Sequence, residues 1–582
     1  MDLEQELSQG LECHRMGKLG DAVRHYRTVL THDPRNVDAL NLMSVLALTS
    51  GDGPTAATLA TTAVEEQPDW FLSYINLGNA LQSLGRVPEA IDCFQKAITL
   101  NPQSAEAYIN LSGALNFAGQ HDMATHMAVQ AILINPEMAE AHVNFGNALL
   151  SLDSPGEAVE AYFNATRLDP GNGLAWFNMG VAYASLSAYD AAISNFRRAI
   201  ALADSAERQY NLGNALYAVL RLDEAEEAFT QALVHDPGNL DAAVNLSAVQ
   251  RDRGRLTEAE ATLRQALDHA PDEPDLHWNL ALVLLTRGDY VQGWREYEWR
   301  WRTAHFSRFI RDFPSTPWRG ESLEGLSLLV HTEQGFGDAL EMCRYVPLLV
   351  ERAASVTLEC RKGLGRLFRT LHPRLTVIEE GIAPLPACDR HVALMSLPHL
   401  LQTTLETIPA TIPYLRVPKA VADFSDVAGQ DGLKIGVVWS GSATRRDNQS
   451  RSFEPHDLAG LPGCRLFSLQ KGDPAAKASD LFDHGRMVDL GPRLSDFADS
   501  AAAIAALDLV ITADTAVAHL AGALGKPVWI ILANPTGAFL WMTGRSDSPW
   551  YPTARLFRQA QPGDWSGVMA ELRQAVAGFA LL

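Results

Sequence analysis

Prolines recur through the first half of the chain at a spacing of 34 residues, and this period constrains the fold more than any other feature. They stand at the following positions, with Asp204 in the place of the missing one: Pro34, Pro68, Pro102, Pro136, Pro170, Pro237 and Pro271. A period of 34 is typical of helical hairpins that stack into a solenoid. The sequence therefore predicts an α-solenoid over residues 1–303, closed by a tryptophan-rich cap at 290–301.

Two further columns of residues show how such hairpins pack. When Phe71 is taken as the first position of a unit, small residues fill the eighth position: Gly78, Ser112, Gly146, Gly180, Gly213 and Ser247. Large residues fill the twenty-fourth position of several units: Phe94, Tyr162, Phe196 and Phe229. A small residue opposite a large one at a fixed spacing lets two helices approach closely. This pattern resembles the tetratricopeptide repeat family over about residues 3–303.

A column of asparagines is not explained by packing. It has one member in each of seven successive repeats: Asn76, Asn110, Asn144, Asn178, Asn211, Asn245 and Asn279. Asparagine is a mediocre helix former, so its repetition in mid-helix indicates a polar role. An amide donates and accepts at once, which suits the backbone of an extended polypeptide whatever its sequence. The column is similar to the asparagine ladder of protein O-GlcNAc transferase, which grips the substrate polypeptide. The structural alternative is that each amide bonds the neighbouring repeat and sets the superhelical twist.

From Ser327 onward short apolar strands alternate with helical segments, which predicts a parallel α/β structure. Nine strands are predicted: 327–332, 355–360, 375–379, 390–395, 434–441, 464–470, 487–491, 509–514 and 528–533. A Pro-rich link divides them into two small doubly wound lobes, 323–418 and 419–582, with a ligand cleft at the strand ends. Residues 304–322 are expected to be a linker. Because GxGxxG, Walker A, GxSxG and kinase motifs are all missing from the sequence, dehydrogenase, ATPase and hydrolase functions lose their main support.

The strand–turn–helix segment at 507–533 has the features of an anion site. An apolar strand delivers Asp514 and Thr515 to a turn, and a helix is predicted from Ala516 to Leu524. Unpaired N–H groups and the macrodipole at such a helix start favour a phosphate. Thr515 adds a hydroxyl, and Asp514 and His519 add a carboxylate and an imidazole. The turn is therefore predicted to hold the phosphate of a leaving nucleotide, with an ordinary polar crossover as the structural alternative.

A second loop, 331–340, is predicted to reach the same cleft. Gly335 and Gly337 let a ligand approach the backbone, and Asp338 follows them at a helix start. An aspartate in that position is either a helix cap or a catalytic base.

A third loop, 440–452, follows a predicted strand and carries Arg445, Arg446 and Arg451 among glycines and serines. This composition suits phosphate at a strand end, so Gly441, Ser442 and Arg451 are expected to contact the donor. A solvated loop is the structural alternative.

Two polar residues, Gln470 and Lys471, end the next predicted strand after that loop. They are expected to face the nucleobase or its ribose.

These stretches together resemble the GT-B glycosyltransferases, particularly the heptosyltransferase-like group fused to tetratricopeptide repeats. The resemblance spans about residues 323–577 and rests on EQGFGDALEMCRYVPLL, VVWSG, SLQKG, DTAVAHLAGALGKPVW and DSPWYPTARLFRQ. In that group a Gly-Asp pair after the first strand supplies the general base, which implies Asp338. Its nucleotide-sugar turn corresponds to Asp514, Thr515 and His519, with Ala516 replacing the usual glycine. Its phosphate-binding lysine has no clear counterpart, and Arg451 is the expected substitute.

Cofactors and partners follow from the resemblance and from composition. GT-B enzymes act without a bound metal, so no metal site and no cofactor are expected beyond the nucleotide-sugar donor. A net charge of −22 opposes binding to nucleic acid or to an anionic membrane. The acidic N-terminus lacks the pattern of a signal peptide, and no run of eighteen apolar residues follows, so a cytoplasmic location is expected.

The sequence thus predicts a protein O-glycosyltransferase whose solenoid holds a polypeptide while the GT-B unit transfers a sugar to Ser or Thr. Bacterial flagellin-modifying transferases resemble this architecture most, and some of them use CMP-activated nonulosonic acids. Flagellin is therefore the leading acceptor, and a CMP-linked sugar is one candidate donor. Two alternatives stay open: a transferase that builds a lipid-linked or free glycan while the repeats recruit a partner enzyme, and a non-catalytic scaffold.

Overall fold

The computed structural model describes residues 2–382, 384–442, 448–535 and 538–579. The chain divides into two compact units, Met1–Pro237 and Gly238–Leu582. Within the described residues, no helix has the length and apolar character needed to span a membrane.

The first unit consists of helical hairpins, as predicted. In its described residues, 2–237, the helices are α1 Leu3–Arg15, α2 Leu19–His32, α3 Val37–Thr49, α4 Gly53–Glu66, α5 Phe71–Ser83, α6 Val87–Leu100, α7 Ala105–Phe117, α8 His121–Ile134, α9 Ala139–Ser151, α10 Pro155–Leu168, α11 Gly173–Ser185, α12 Tyr189–Leu202, α13 Ala206–Ala218 and α14 Leu222–His235. Each odd-numbered helix packs against the even-numbered helix that follows it. The predicted repeat solenoid is confirmed.

The packing within these hairpins depends on the small residues of the eighth position. A Cβ added at Gly78 would lie 2.4 Å from the ring of Phe94, and one at Gly146 would lie 2.6 Å from the ring of Tyr162. Real Cβ contacts are not this short, so an aromatic ring occupies the space of the missing side chain. The first hairpin has the same arrangement, because a Cβ added at Gly10 would lie 2.4 Å from the ring of Tyr26. The small-against-large prediction is confirmed and extends to the first repeat.

The second unit begins with further helices of the same kind. They are α15 Leu240–Asp252, α16 Leu256–His269, α17 Pro274–Arg287, α18 Tyr290–Tyr297 and α19 Ala304–Ser307. The aromatic cap falls on two elements, because Trp294 lies in α18 whereas Trp299 and Trp301 lie in a 3-10 helix, Glu298–Arg302. Tyr290, Trp294 and Tyr297 belong to the same apolar core as the α/β part. This shared core joins α17 and α18 to the α/β part, and the predicted domain boundary at residue 303 stays a prediction.

Two parallel sheets follow. Their described strands are β1 Thr316–Pro317, β2 Ser327–His331, β3 Ser355–Cys360, β4 Thr376–Glu379, β5 Arg390–Ala393, β6 Leu433–Val438, β7 Cys464–Ser468, β8 Met487–Asp489, β9 Leu509–Ala513, β10 Val528–Leu532 and β11 Ala554–Arg558. The nine predicted strands are confirmed, and β1 and β11 are additional. The short strand β1 lies in the range 304–322 that was expected to be a linker, and it pairs with β5 at the edge of the first sheet.

The helices of the α/β part are mostly short. They are α20 Phe336–Met342, α21 Val346–Val350, α22 Gly365–Phe368, α23 Leu397–Leu400, α24 Ser425–Ala428, α25 Asn448–Arg451, α26 Ser479–Asp483, α27 Phe497–Ala505, α28 Ala516–Ala523 and α29 Trp565–Phe579.

The strand order of each sheet decides where a ligand can bind. The first sheet has the order β1-β5-β2-β3-β4, and the second has the order β11-β10-β9-β6-β7-β8. The order of succession therefore reverses between β2 and β5 in the first sheet, and between β6 and β9 in the second. In open parallel sheets, ligands bind beyond the carboxyl ends of the strands at such a reversal. Two parallel, doubly wound sheets are consistent with the GT-B arrangement expected from the sequence.

Candidate active site

One cavity lies at both reversal points, where β2 ends in the first sheet and β6 and β9 end in the second. It has a volume of about 720 Å³. Every residue predicted for base catalysis or donor binding lines it: Gly335, Gly337, Asp338, Gly441, Ser442, Arg451, Gln470, Lys471, Asp514, Thr515, Ala516 and His519. These residues come from loops separated by up to 184 positions in the chain, so only the fold brings them together. Of the predicted arginines, Arg445 and Arg446 lie outside the described residues.

The turn after β9 lines one side of the cavity. Thr515 caps α28, because its side chain accepts a hydrogen bond from the amide of Val517 at 3.3 Å. Its hydroxyl also lies 3.0 Å from that of Thr512, at the end of the buried strand. The N-terminus of α28 thus opens into the cavity beside Ala516, and unpaired amides at a helix start favour an anion there.

The side chain of Asp514 is held in place from two sides. Its Oδ1 accepts a hydrogen bond from the indole Nε1 of Trp541 at 2.9 Å. Its Oδ2 lies 3.2 Å from the guanidinium of Arg451, which also donates to the backbone carbonyl of Asp514. Arg451 therefore braces the turn, and its charge is partly balanced before any donor is present. Phosphate binding by Arg451 would have to share or replace this ion pair.

The loop after β6 is closed by Asn448. The Asn448 Oδ1 accepts from the amide of Gly441 at 3.0 Å, and its Nδ2 donates to the Ser440 hydroxyl at 3.1 Å. The Gly441 amide is therefore already bonded within the protein, although Gly441 lines the cavity.

Gln470 and Lys471 line the cavity, but their polar groups form hydrogen bonds with other groups of the protein. The Gln470 Oε1 accepts from the amides of Trp439 and Ser440 at 3.2 and 3.0 Å. Its Nε2 donates to the carbonyls of Ser440 and Lys471 at 3.1 and 3.3 Å, which accounts for all four hydrogen bonds of the amide. The Lys471 ammonium donates to the carbonyl of Leu494. The Gln470 side chain therefore joins the ends of β6 and β7, and the Lys471 side chain holds the segment that follows β8. The expected contact with a nucleobase would require these bonds to be exchanged.

Asp338 is a helix cap that also faces the cavity. Its Oδ2 accepts a hydrogen bond from the amide of Gly335 at 2.9 Å, which caps the first turn of α20. The residue is only partly buried and lines the cavity. A carboxylate has two oxygens and about four acceptor sites, so the cap leaves capacity to accept a proton.

His519 is buried at the inner wall of the cavity. Its Nδ1 lies 3.0 Å from the Tyr551 hydroxyl, and its ring stacks on that of Trp541 at 5.3 Å. Burial lowers the pKa of His519 to about 4, against the opposing influence of Asp514. The imidazole is therefore neutral at pH 7. The contact with α20 is close, because a Cβ on Gly337 would lie 3.1 Å from the His519 ring.

Several lining residues were missed by sequence reasoning. Arg361 and Lys362 follow β3 directly and face the cavity, and neither forms an ion pair among the described residues. The Phe336 and Phe497 rings pack at 5.0 Å, with the Arg361 guanidinium 5.7 Å from the Phe336 ring centroid. Their position in the sequence could have identified Arg361 and Lys362, because they follow the carboxyl end of a parallel strand that neighbours β2.

In the first unit the asparagine column makes two kinds of hydrogen bond. Three members bond another repeat: Asn76 to Asn41 Oδ1 at 3.0 Å, Asn144 to the Ile109 carbonyl at 3.0 Å, and Asn178 to Asn147 Oδ1 at 2.8 Å. Asn211 instead donates to the Glu207 carbonyl of its own helix at 2.9 Å. Asn110 makes no hydrogen bond with the described residues. All five are half-buried, and part of the column thus does what the structural alternative requires.

The second unit holds the last two members of the column. Asn279 donates to the Asp275 carbonyl of its own helix at 2.8 Å. Asn245 also interacts with another group of the protein. An amide nitrogen carries two hydrogens, so one bond does not exhaust it.

Comparison with known proteins identifies the two classes of module that the sequence suggested. Tetratricopeptide repeat models match residues 9–69, 71–104, 143–207 and 216–281. The model of glycosyltransferase family 9 (heptosyltransferase) matches residues 463–536, which include the turn at Asp514 and Thr515. The chain therefore contains tetratricopeptide repeats and a glycosyltransferase family 9 segment, and the predicted combination is confirmed.

Among individual proteins, the chain is similar to Protein FlbA of Caulobacter vibrioides (strain ATCC 19089 / CIP 103742 / CB 15). The two are 28% identical over 330 residues, which cover 51% of this chain and 54% of FlbA. The chain thus spans about half the length of that relative. The DnaJ homolog subfamily C member 3 of Rattus norvegicus is 29% identical over 105 residues, covering 18% of this chain and 21% of that protein.

Two solved structures show a weaker likeness. The Cut9–Hcn1 hetero-tetramer of APC/C is 21% identical, with a TM-score of 0.38, and covers 45% of this chain and 52% of its own. The repeat protein YrrB is 24% identical, with a TM-score of 0.28, and covers 32% of this chain and 96% of its own.

Proposed function

We propose that the protein is an O-glycosyltransferase that moves a sugar from a nucleotide-sugar donor to Ser or Thr of a polypeptide held by the repeats. Flagellin is the first acceptor to consider, and a CMP-linked nonulosonic acid is the first donor. The glycosyltransferase family 9 match supports the class of reaction. The acceptor and the sugar rest on the resemblance to flagellin-modifying transferases.

One observation carries the proposal. The carboxylate of Asp338 and the N-terminus of α28 line the same cavity, although they belong to different sheets. A base for the acceptor hydroxyl and an anion site for the leaving phosphate are the two groups that glycosyl transfer requires. Loops from both reversal points surround the space between them, as expected for a site that holds two substrates.

The proposed reaction uses these groups as follows. Asp338 accepts the proton of the acceptor hydroxyl while the oxygen attacks the anomeric carbon of the sugar. The bond from that carbon to the nucleotide phosphate breaks, and its electron pair leaves with the phosphate. Negative charge grows on the phosphate oxygens, where the α28 amides and the Thr515 hydroxyl stabilise it. No step requires a metal ion or a cofactor.

The repeats are proposed to hold the polypeptide through the asparagine column. The side chains are half-buried. Their exposed part can contact a ligand, while the surrounding protein limits their rotation. Asn110 and Asn211 make no hydrogen bond to another repeat, which leaves their amides as the strongest candidates for peptide contact in the first unit.

The direct test is transfer by the purified full-length chain. Flagellin from a strain that lacks this gene is incubated with CMP-, UDP- and GDP-linked sugars, and its intact mass is measured. We expect a mass increase of one sugar residue with one class of donor, located on Ser or Thr. Transfer to a lipid-linked or free glycan without any protein product would overturn the choice of acceptor. If no nucleotide-sugar binds or reacts, the enzymatic proposal itself is wrong.

A further inference from the structure

Behind the cavity lies a carboxyl group that the proposed reaction leaves unused. Glu341 is fully buried, with 0% exposure, and neither carboxylate oxygen has a hydrogen-bond partner among the described residues. Buried polar groups are nearly always hydrogen-bonded, so an unpartnered one calls for an explanation. Glu341 stands three residues after Asp338 on α20, which packs directly on α28.

The neighbour of this carboxyl is His519. The Glu341 Oε2 lies 3.7 Å from the His519 Nδ1. That separation is within ion-pair range but longer than the 2.7–3.2 Å or so of a hydrogen bond, so the two groups are not hydrogen-bonded to each other. On its other side, the Cδ2–Nε2 edge of the ring lies close to Gly337 at the cavity wall. Because His519 also lines the cavity, the imidazole stands between the buried carboxyl and the cavity.

The charged groups around the pair do not satisfy the carboxyl. Arg344 is buried beside it, but its guanidinium donates to the Glu341 backbone carbonyl, to the Trp550 carbonyl and to the Tyr414 hydroxyl. Burial raises the pKa of Glu341 to about 8 against the opposing influence of Arg344, and Asp338 and Asp514 raise it as well. Arg344 and Arg451 lower the pKa of His519, and Asp514 raises it. These shifts keep both groups neutral at pH 7, with the proton of the pair on the Glu341 carboxyl and the Tyr551 hydroxyl 3.0 Å from the His519 Nδ1.

We propose that Glu341 protonates His519 when the phosphate of a nucleotide-sugar occupies the cavity. The proton leaves Glu341 Oε2 and is bound by His519 Nδ1, so a neutral acid–imidazole pair becomes a carboxylate–imidazolium pair. No proton enters from solvent. The imidazolium then presents Nε2–H and a positive charge to the leaving phosphate, with the Glu341 carboxylate as its counter-ion.

Simple electrostatics favours this transfer only in the loaded site. Forming two charges in a buried region is costly, which keeps the pair neutral while the cavity is empty. A phosphate anion within about 4–6 Å of the ring favours the imidazolium, as an opposite charge does for any titrating group. Glu341 is thus a positioning residue that acts through His519, and this role rests on the proposed function.

Proton counting by calorimetry tests the inference. CMP, UDP, GDP and ADP are titrated at pH 7 into the full-length wild type and Glu341→Gln, each in two buffers of different ionisation enthalpy. In the wild type the transfer is internal, whereas in Glu341→Gln the proton for His519 must come from solvent. We therefore expect Glu341→Gln to take up as much as one proton more than the wild type. Its Kd should then rise by up to about tenfold per pH unit above neutrality.

Two further variants separate this role from a merely structural one. Glu341→Asp keeps an ionisable acid and should restore the wild-type proton count, even if a shorter side chain lowers stability. Tyr551→Phe removes the other partner of Nδ1 and leaves Glu341 in place, so it should not add a proton. Equal proton uptake by wild type and Glu341→Gln with the nucleotide that binds would overturn the inference and leave the proposed function standing. If none of the four nucleotides binds the wild type, the proposed function fails, and the inference fails with it.

Discussion

Single residues in the cavity differ in how firmly the surrounding fold holds them. Gln470 and Lys471 are bonded to backbone carbonyls, and Arg451 is paired with Asp514. Arg361 and Lys362, by contrast, form no ion pair among the described residues. A side chain that is already satisfied loses those bonds when it turns to a ligand, whereas Arg361 and Lys362 can meet an anion at little cost. A negatively charged ligand is therefore expected to contact Arg361 and Lys362 after β3 as well as the turn before α28.

The two roles of Asp338 can be separated by a pair of substitutions. Asp338→Asn keeps an oxygen that can accept from the Gly335 amide, so the α20 cap survives while the base is lost. Asp338→Ala removes both. If the residue is the base, both variants should lose about 10² to 10⁴ in kcat at nearly unchanged donor affinity. Rate measurements beside melting curves decide this, and an active Asn variant would leave Asp338 as a cap only.

Arg451 is expected to matter for the donor both directly and through Asp514. Arg451→Ala removes a charge-assisted contact, worth about 1.5 to 3 kcal/mol, and frees the Asp514 carboxylate to repel phosphate. Calorimetry should show a loss of donor affinity of roughly ten- to a hundred-fold. Arg465→Ala, an exposed arginine of β7 outside the cavity, is the matched control and should bind like the wild type. Unchanged affinity in Arg451→Ala would remove this residue from the site.

The buried carboxyl of Glu341 has a consequence for stability in the empty protein. Burial raises its pKa to about 8, whereas the unfolded chain releases this proton near pH 4.5. Between these values the folded state binds more protons than the unfolded state, so this group's contribution to stability falls as pH rises. Glu341→Gln should therefore gain in Tm relative to the wild type on going from pH 5 to pH 8. A Tm difference that does not change with pH would show that Glu341 is ionised in the folded protein.

At the scale of elements, the helix pair α20–α28 and the repeat helices show two uses of close packing. Gly337 lets α20 approach His519 on α28, just as Gly78 lets one repeat helix approach the ring of Phe94. In the α/β part this contact links the loop that carries Asp338 to the helix that follows the Asp514–Thr515 turn. In the repeats it fixes each hairpin, and the asparagine column lies on helices that are fixed in this way.

The hydrogen bonds of the column allow its two roles to be tested apart. Asn144 and Asn178 bond another repeat, so replacing both by Ala should lower the free energy of unfolding by about 1 to 3 kcal/mol. Asn110 and Asn211 do not bond another repeat, so their double Ala variant should melt close to the wild type but bind polypeptide more weakly. Melting curves and pull-down of flagellin measure the two effects. Full capture by a folded Asn110→Ala/Asn211→Ala variant would argue against the peptide groove.

For the whole molecule, the position of the aromatic cap decides which fragments can fold alone. Tyr290, Trp294 and Tyr297 are each 1% exposed. The Trp550 indole donates to the Tyr290 hydroxyl at 2.9 Å, and the Trp294 ring lies 5.6 Å from that of Phe539. A chain cut after the cap would expose these rings to water, whereas the unit Met1–Pro237 contains none of them.

Fragments test this organisation. Because repeats contact mainly their neighbours, residues 1–237 should form a helical monomer with a cooperative melt. Residues 1–320 should keep their helical circular dichroism but bind a hydrophobic dye or associate, since the cap has lost its partners. Size-exclusion chromatography with dye binding compares the two. A monomeric 1–320 fragment that binds no dye would support a boundary near residue 303 instead.

The sequence alone determined the repeat solenoid, the parallel α/β part and the loops that line the cavity. The reason is that these features are local: a period of 34, small residues opposite rings, and polar residues at the ends of apolar strands. Tertiary structure alone decided what the polar atoms bond, as with the inward-turned Gln470 amide and the ion pair of Arg451. It also placed Glu341 beside His519, because only the packing of α20 on α28 joins residues 178 positions apart. Burial and pairing set the charge of such groups, and neither can be read from the residues next to them in the chain.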